Sequence, residues 1–405
     1  MIWTLVRKEI AEHLLSLRFA LALALCAAVE LTSALTMYRQ YAGRAGDHAL
    51  CQARPGEARA SVSPVLTSVL AWGLEDVTGR TVDLTQLPTG LAYPLQSPLN
   101  ILDGFFPTLD LSYVVRVIGS LVALSFAFDA LCGEVRGGTV ALSLAAGASR
   151  GGILLGKLAG GLAVIAALFL LPLLAGLSLL RVAFAAPLDV DLVLRTLLWS
   201  GAGLLYLGCF YCLGLLVSAV VTTPRAALMA CLVLWTALTV VAPGALTALL
   251  RLDAHLQSPT RFEQASFYVL RQDTEPYQER VERQFQLRDA RAQQVLSFSH
   301  RALAALRLLP GPAYVEASTD LAGTGVVQIP AYFGAVQRLM RGVAEDREAG
   351  TGVPAFAFQR AGTGECAEHA APAVASLLVW MAAACWALSH AWARCDVRVR
   401  EAGSQ

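Results

Sequence analysis

Residues 196–250 read TLLWSGAGLLYLGCFYCLGLLVSAVVTTPRAALMACLVLWTALTVVAPGALTALL, and Arg225 is the one charged side chain among them. A bilayer core about 30 Å thick takes roughly 20 helical residues at about 1.5 Å each. The stretch therefore predicts two membrane helices, 196–221 and 226–250, joined by a turn that holds Arg225. Working outward, four more stretches share that length and character: 19–38, 111–131, 153–180 and 371–393. Pro172 and Gly176 inside 153–180 predict a kink or a tilt. Composition agrees, with 56% apolar and 15% charged residues among 405, against about 25% charged in a soluble domain. Disorder and coiled coil need more charge or less hydrophobicity, and a net charge of +1 gives no basis for a nucleic-acid partner. The expected fold class is an all-α polytopic membrane protein with six transmembrane helices.

Lysine and arginine set the expected orientation. Arg7, Lys8 and Arg18 precede the first span, and Arg136, Arg150 and Lys157 lie between the second and third. Arg225 separates the fourth and fifth, and Arg394, Arg398 and Arg400 follow the sixth. Alternating spans put all four groups on one face, which the positive-inside rule makes cytoplasmic, with both termini. The expected organisation is an interfacial helix over 1–18, a span over 19–38, an extracytoplasmic region over 39–110, spans two to five within 111–250, a second extracytoplasmic region over 251–370, a span over 371–393 and a cytoplasmic tail over 394–405. The first helix is amphipathic, with Trp3, Val6, Ile10, Leu14 and Leu17 at helical spacing and Arg7, Lys8, Glu9 and Glu12 on other faces. Glu9 and Glu12 also argue against a cleaved signal peptide.

The first outer region has no sustained period, and Pro88, Pro94, Pro98 and Pro107 predict short helices and loops. In the second, apolar residues scattered over 254–308 among Arg, Gln and Glu predict one or two long amphipathic helices broken near Pro276, with another over 331–343 after Pro330. A cover for the membrane domain and a docking surface both fit that pattern. Of nine cysteines, Cys51 and Cys366 fall outside the membrane, one in each outer region, and are a candidate disulfide. Cys209-Phe-Tyr-Cys212 has metal or redox spacing but sits in an apolar helix with no further Cys or His pair in sequence, and reads as packing.

Several stretches imitate catalytic motifs. Gly151 to Lys157 nearly spells a phosphate-binding loop, but Leu158 stands where a Mg²⁺-binding hydroxyl belongs and no strand precedes it. Glu368-His369 lacks the second histidine of a zinc helix, and no G-x-S-x-G elbow is present. The sequence therefore predicts no catalytic residue, no metal site and no cofactor bound by this chain. Glu30, inside the first span, is a candidate pathway or interhelical residue, because an ionisable group at that depth marks function by default.

Between spans two and three, Phe128-Asp129, Glu134, Gly138-Thr139-Val140, Arg150 and Gly156-Lys157 follow one another in a pattern that resembles the permeases of the type-2 ABC exporter family. Those proteins end their second span in Phe-Asp, continue with Glu-Arg-x-x-Gly-Thr-Leu and a short cytoplasmic helix, and open the third span with Gly-Lys. Here Val135 replaces the usual Arg, with Arg136 one residue later, and Val140 replaces Leu. Leu5 to Glu9 and Ala391 to Arg398 resemble the family's two ends. The large outer regions resemble a subgroup with enlarged extracytoplasmic segments.

The resemblance implies a non-catalytic permease subunit coupled to a separate ABC ATPase present in two copies, which binds the ATP and Mg²⁺. It implies a coupling helix at about 134–149, with Asp129, Glu134, Arg136, Gly138, Thr139, Arg150 and Lys157 as the coupling residues. Arg150 and Lys157 are then contacts to the ATPase or to lipid phosphate. A second permease, identical or related, completes the assembly among lipids of a prokaryotic inner membrane. Two other readings stand beside export: mechanical transmission to a periplasmic protein, and an ion-coupled carrier built on Glu30.

Overall fold

The computed structural model describes residues 2–53, 59–75, 82–83, 109–186, 189–253, 277–349 and 356–395. Six helices are long and apolar enough to cross a membrane: Leu17–Gln52, Leu111–Arg136, Arg150–Phe184, Val190–Val220, Pro224–Leu250 and Thr363–Arg394, referred to below as spans one to six. The architecture is all-α, apart from a two-residue ladder pairing Arg59–Ala60 with Val82–Asp83. Ahead of span one lies a separate helix, Ile2–Leu14. Ser16 makes the break, its Oγ accepting from the Phe19 amide at 3.2 Å as an N-cap.

Span four is the axis of the bundle. It packs against spans two, three and six, and Trp199, Tyr206, Phe210, Tyr211 and Leu215 on it are almost wholly buried. Polar side chains on this axis find partners across the bundle. Trp199 Nε1 donates to Ser112 Oγ at 3.1 Å, and Tyr206 Oη donates to the Arg116 carbonyl at 3.0 Å. Spans two and five each contain one π turn, Val115–Gly119 and Ala237–Val241, and Trp235 donates to Ser120 at 2.9 Å beside them. Span three continues as one helix through Pro172 and Gly176.

Close approach of spans three and four depends on Gly161. A Cβ at that position would stand 1.9 Å from Tyr211 Oη, which itself donates to the Lys157 carbonyl at 3.0 Å. Gly161→Leu is expected to cost at least about 1–3 kcal/mol by overpacking, read as a lower melting temperature and a broadened size-exclusion peak in detergent. Gly201→Leu, where a Cβ meets nothing within 4 Å, is the control and is expected to leave both unchanged.

Two features differ from the sequence expectation. Residues 39–52 do not form loops but continue span one as a single helix of 36 residues, about 54 Å long at 1.5 Å per residue. Gly43 and Gly46 weaken that extension by only about 1 kcal/mol each, and side-chain contacts hold it: Arg44 lies 4.2 Å over the Trp72 ring and His48 Nδ1 is 3.0 Å from Ser61 Oγ. The second difference is the helix Pro310–Ala322, which lies among the spans instead of outside them. It packs against spans four and six with every residue buried, and Tyr314 stacks on Tyr206 at 4.7 Å.

The long amphipathic helix appears as Tyr277–Leu306, beginning just after Pro276, and the following one as Ile329–Ala349. Together they build a small core of their own from Phe285, Tyr332, Val336, Leu339 and Met340. Residues 254–276 lie outside the described residues.

Candidate functional site

The N-terminal helix, the connection between spans two and three, and the last turn of span six gather at one end of the bundle. The connection begins where Ser218 of span four accepts from the Leu131 and Cys132 amides at 3.0 and 3.1 Å. It is two short helices, Cys132–Arg136 and Thr139–Ala145, where the sequence predicts one over 134–149. Gly138 causes the split, with φ at +73°, a conformation that costs glycine nothing. Gly147, at φ +91°, ends the second helix in the same way.

The residues expected to face an ATPase divide into two sets. Arg136 and Thr139 are exposed, and with Leu142, which is 73% exposed, they form an outward surface on the connection. Thr139 Oγ1 also donates to the Glu134 carbonyl at 3.2 Å and bridges the glycine break. The other set is engaged by partners within the chain. Arg18 Nη1 is 2.7 Å from Asp129 Oδ2 and its guanidinium lies 5.4 Å from the Phe128 ring centre, so one arginine holds both members of the Phe-Asp pair. Arg150 donates to the carbonyls of Trp392, Ala393 and Cys395 at 2.9–3.3 Å, satisfying the orphan end of span six, and Trp392 Nε1 returns a bond to the Arg150 carbonyl.

Lys157 is the centre of that second set. It is 4% exposed, and its Nζ lies 3.2 Å from both Glu9 carboxylate oxygens and 3.1 Å from Glu134 Oε1. Lys8 reaches Glu134 at 3.8 Å and Glu12 at 3.4 Å, and His13 Nε2 is 3.3 Å from Glu9 Oε1. The sequence reading directs Lys157 and Arg150 to an ATPase or to lipid phosphate, whereas here both cations are engaged within the chain. Carboxylate oxygens of Glu9, Glu12 and Glu134 converge within 4.8 Å, but Lys8, Lys157 and His13 already contact them. The result is a buried ionic latch that ties the N-terminal helix to span three and to the connection.

Sequence reasoning missed Glu9, His13 and Arg18 as members of this site. A signal was present: Lys157 is followed at once by a long apolar run, and a cation at the edge of a span asks for a partner as Glu30 does.

Glu30 itself is 4% exposed and faces inward, in an apolar niche formed by Val114, Val115, Ile165 and Leu207 from spans two, three and four. Its Oε2 has no hydrogen-bond partner among the described residues. No bond joins Cys51 to Cys366 in this structure. Cys366 is wholly buried, its Sγ 3.4 Å from Arg195 Nη1 and 3.7 Å from the Ala361 carbonyl, while Cys51 sits on the last turn of span one. Beside Arg195, a polar cavity of about 430 Å³ is lined by Tyr41, Thr67, Asp191 and Arg360 among others.

A family model described as ABC-2 family transporter protein matches residues 3–337, from the N-terminal helix through the inserted helix into Ile329–Ala349. No curated protein matches the chain.

Proposed function

The chain belongs to the ABC-2 family of transporter proteins, and from that premise we propose that it is the membrane subunit that turns the motion of a separate ATPase into export of a substrate. ATP and Mg²⁺ belong to that ATPase, present in two copies, and a second permease completes the assembly in a prokaryotic inner membrane, with both termini cytoplasmic. The observation that carries this reading is the connection of Cys132–Ala145. It offers an outward surface of Arg136, Thr139 and Leu142, and its inner side is tied to span four through Ser218, to span three through Lys157 and to the N-terminal helix through Lys8. A push on that surface moves three elements together, as a coupling element requires.

Mechanical transmission to a periplasmic protein is the second reading. The outer helices have a core of their own, and Arg307 at their inner end pairs with Glu316 of the inserted helix, with Nε–oxygen distances of 2.7 and 2.9 Å. Motion of span four or six would reach them through that pair.

The test is a mild-detergent pull-down of tagged protein from its native membrane. A Walker-motif ATPase is expected to copurify with wild type, to be lost with Leu142→Asp and Thr139→Arg, and to be retained with reduced stimulation in Glu134→Ala. Absence of any ATPase, under conditions that preserve other such complexes, would refute the reading and bring forward an ion-coupled mechanism at Glu30. If the ATPase is present and its nucleotide state governs binding of an external protein without movement of solute, transmission replaces export.

A further inference from the structure

Span four carries Cys209 and Cys212 one turn apart, and in sequence they have no companions. The fold supplies them. Span six is packed along span four, and it brings Cys385 Sγ to 3.7 Å and Met381 Sδ to 3.6 Å from Cys212 Sγ. Met381 and Cys385 are four residues apart and so share one helix face. Cys209, on the same side of span four, donates to the Leu377 carbonyl of span six at 3.4 Å. Three thiols and a thioether thus line one helix–helix seam, at the half of the bundle nearer the termini.

We propose that Cys212, Cys385 and Met381 form a binding site for a soft monovalent d¹⁰ cation such as Cu(I). With metal–sulfur bonds of about 2.3 Å, sulfurs 3.7 Å apart subtend about 107° and those 3.6 Å apart about 103° at the ion. Both angles suit a three- or four-coordinate centre. Ligand chemistry selects the ion, because thiolate with thioether is a soft donor set. Zn²⁺ sites draw instead on Cys, His and carboxylate, and among the described residues no histidine or carboxylate is found at these sulfurs. Charge balance is also met. The ion displaces the Cys212 thiol proton to water, and one thiolate with one monovalent cation leaves the seam neutral, while the Cys385 thiol and the Met381 thioether complete the set as neutral donors. A neutral centre avoids the penalty of a bare charge in an apolar medium. Cys212 is wholly buried and Cys385 half-buried, so the ion would enter from the span-six side. Once bound, it would bridge spans four and six.

The same close contact could serve only to fill the seam, since sulfur is a soft and adaptable packing atom. Anaerobic titration separates the two. Full-length wild type in detergent is given Cu(I) in competition with a chromophoric chelator, beside Cys212→Ser, Met381→Leu and a Cys231→Ser control in span five. The expected result is about one Cu(I) per chain in wild type and in Cys231→Ser, with affinity at least about ten-fold weaker in Cys212→Ser and Met381→Leu. Wild-type X-ray absorption should show a sulfur-only first shell, a readout that does not depend on any variant folding. Failure of wild type to take up Cu(I), uptake unchanged by Cys212→Ser, a nitrogen or oxygen shell, or equal retention of Zn²⁺ would each overturn the proposal. Isolation of the native protein with Cys212 and Cys385 joined as a disulfide would do so too, because the ligands would be consumed.

Discussion

Lys157→Met is expected to lower the melting temperature of the detergent-purified protein more than any substitution on the exposed face of the connection. The ammonium sits between Glu9 and Glu134 at 3.1–3.2 Å with its side chain 5% exposed, and Glu9 is only 8% exposed. Removing one partner of a buried pair costs about 3–5 kcal/mol, because the remaining charge has lost both water and counter-ion. The Lys157→Met/Glu9→Gln double variant is expected to lose less than the sum of the two single changes. Acid sensitivity gives an independent reading. Burial pushes the Glu9 carboxyl up, but the close contacts with His13 and Lys157 outweigh it and hold the carboxyl below its ordinary 4.5. A depressed carboxyl contributes stability above its unfolded value and loses it as pH falls through the folded one. Wild type should therefore keep this contribution down to about pH 4.5 and lose it only below. In Lys157→Met the opposing charge is gone and the Glu9 carboxyl is less depressed, so the variant should lose less stability than wild type as pH falls below about 4.5. Melting curves of both proteins across the acid range check this. Coincident curves would show that the latch contributes nothing to holding the N-terminal helix.

Glu75→Ala is expected to have an effect of similar size at the opposite end. Glu75 is 1% exposed, with Arg360 Nη1 2.7 Å from Oε1 and Arg44 Nη1 3.5 Å from Oε2. Arg44 belongs to the extension of span one, and Arg360 also donates to the Ser63 and Gly323 carbonyls. One carboxylate therefore joins span one, residues 61–75 and the approach to span six. Its removal leaves two largely buried guanidiniums without their shared carboxylate, again at a cost of about 3–5 kcal/mol. Limited proteolysis should open the outer regions of Glu75→Ala, while copurification of the ATPase persists, since the connection is at the far end. Loss of the ATPase together with the outer regions would show instead that the bundle unfolds as one unit.

The six spans were legible because a bilayer demands about 20 consecutive apolar residues of each helix, and that demand is written locally. The connecting segment was legible for the same reason: Asp129, Glu134, Gly138 and Thr139 follow one another in the chain. The inserted helix was not. At 13 residues, Pro310–Ala322 is too short to span, so composition alone places it outside, and only its packing on spans four and six reveals where it lies. Residues 39–52 failed similarly, since their helix is held by contacts such as Arg44 with Trp72 and not by a period of their own.

The same division runs through the polar sites. Sequence singled out Glu30 by its depth and Cys209-x-x-Cys212 by spacing, and it marked Lys157 as a cation near the end of a span. It could not say what each one meets. Glu9 is 148 residues from Lys157, and Cys385 is 173 from Cys212. Hydrophobic length is a property of one segment and can be read from it. Neutralising a buried charge, or assembling sulfur ligands, needs atoms from separate helices, and their meeting is decided only when span four is packed against its neighbours.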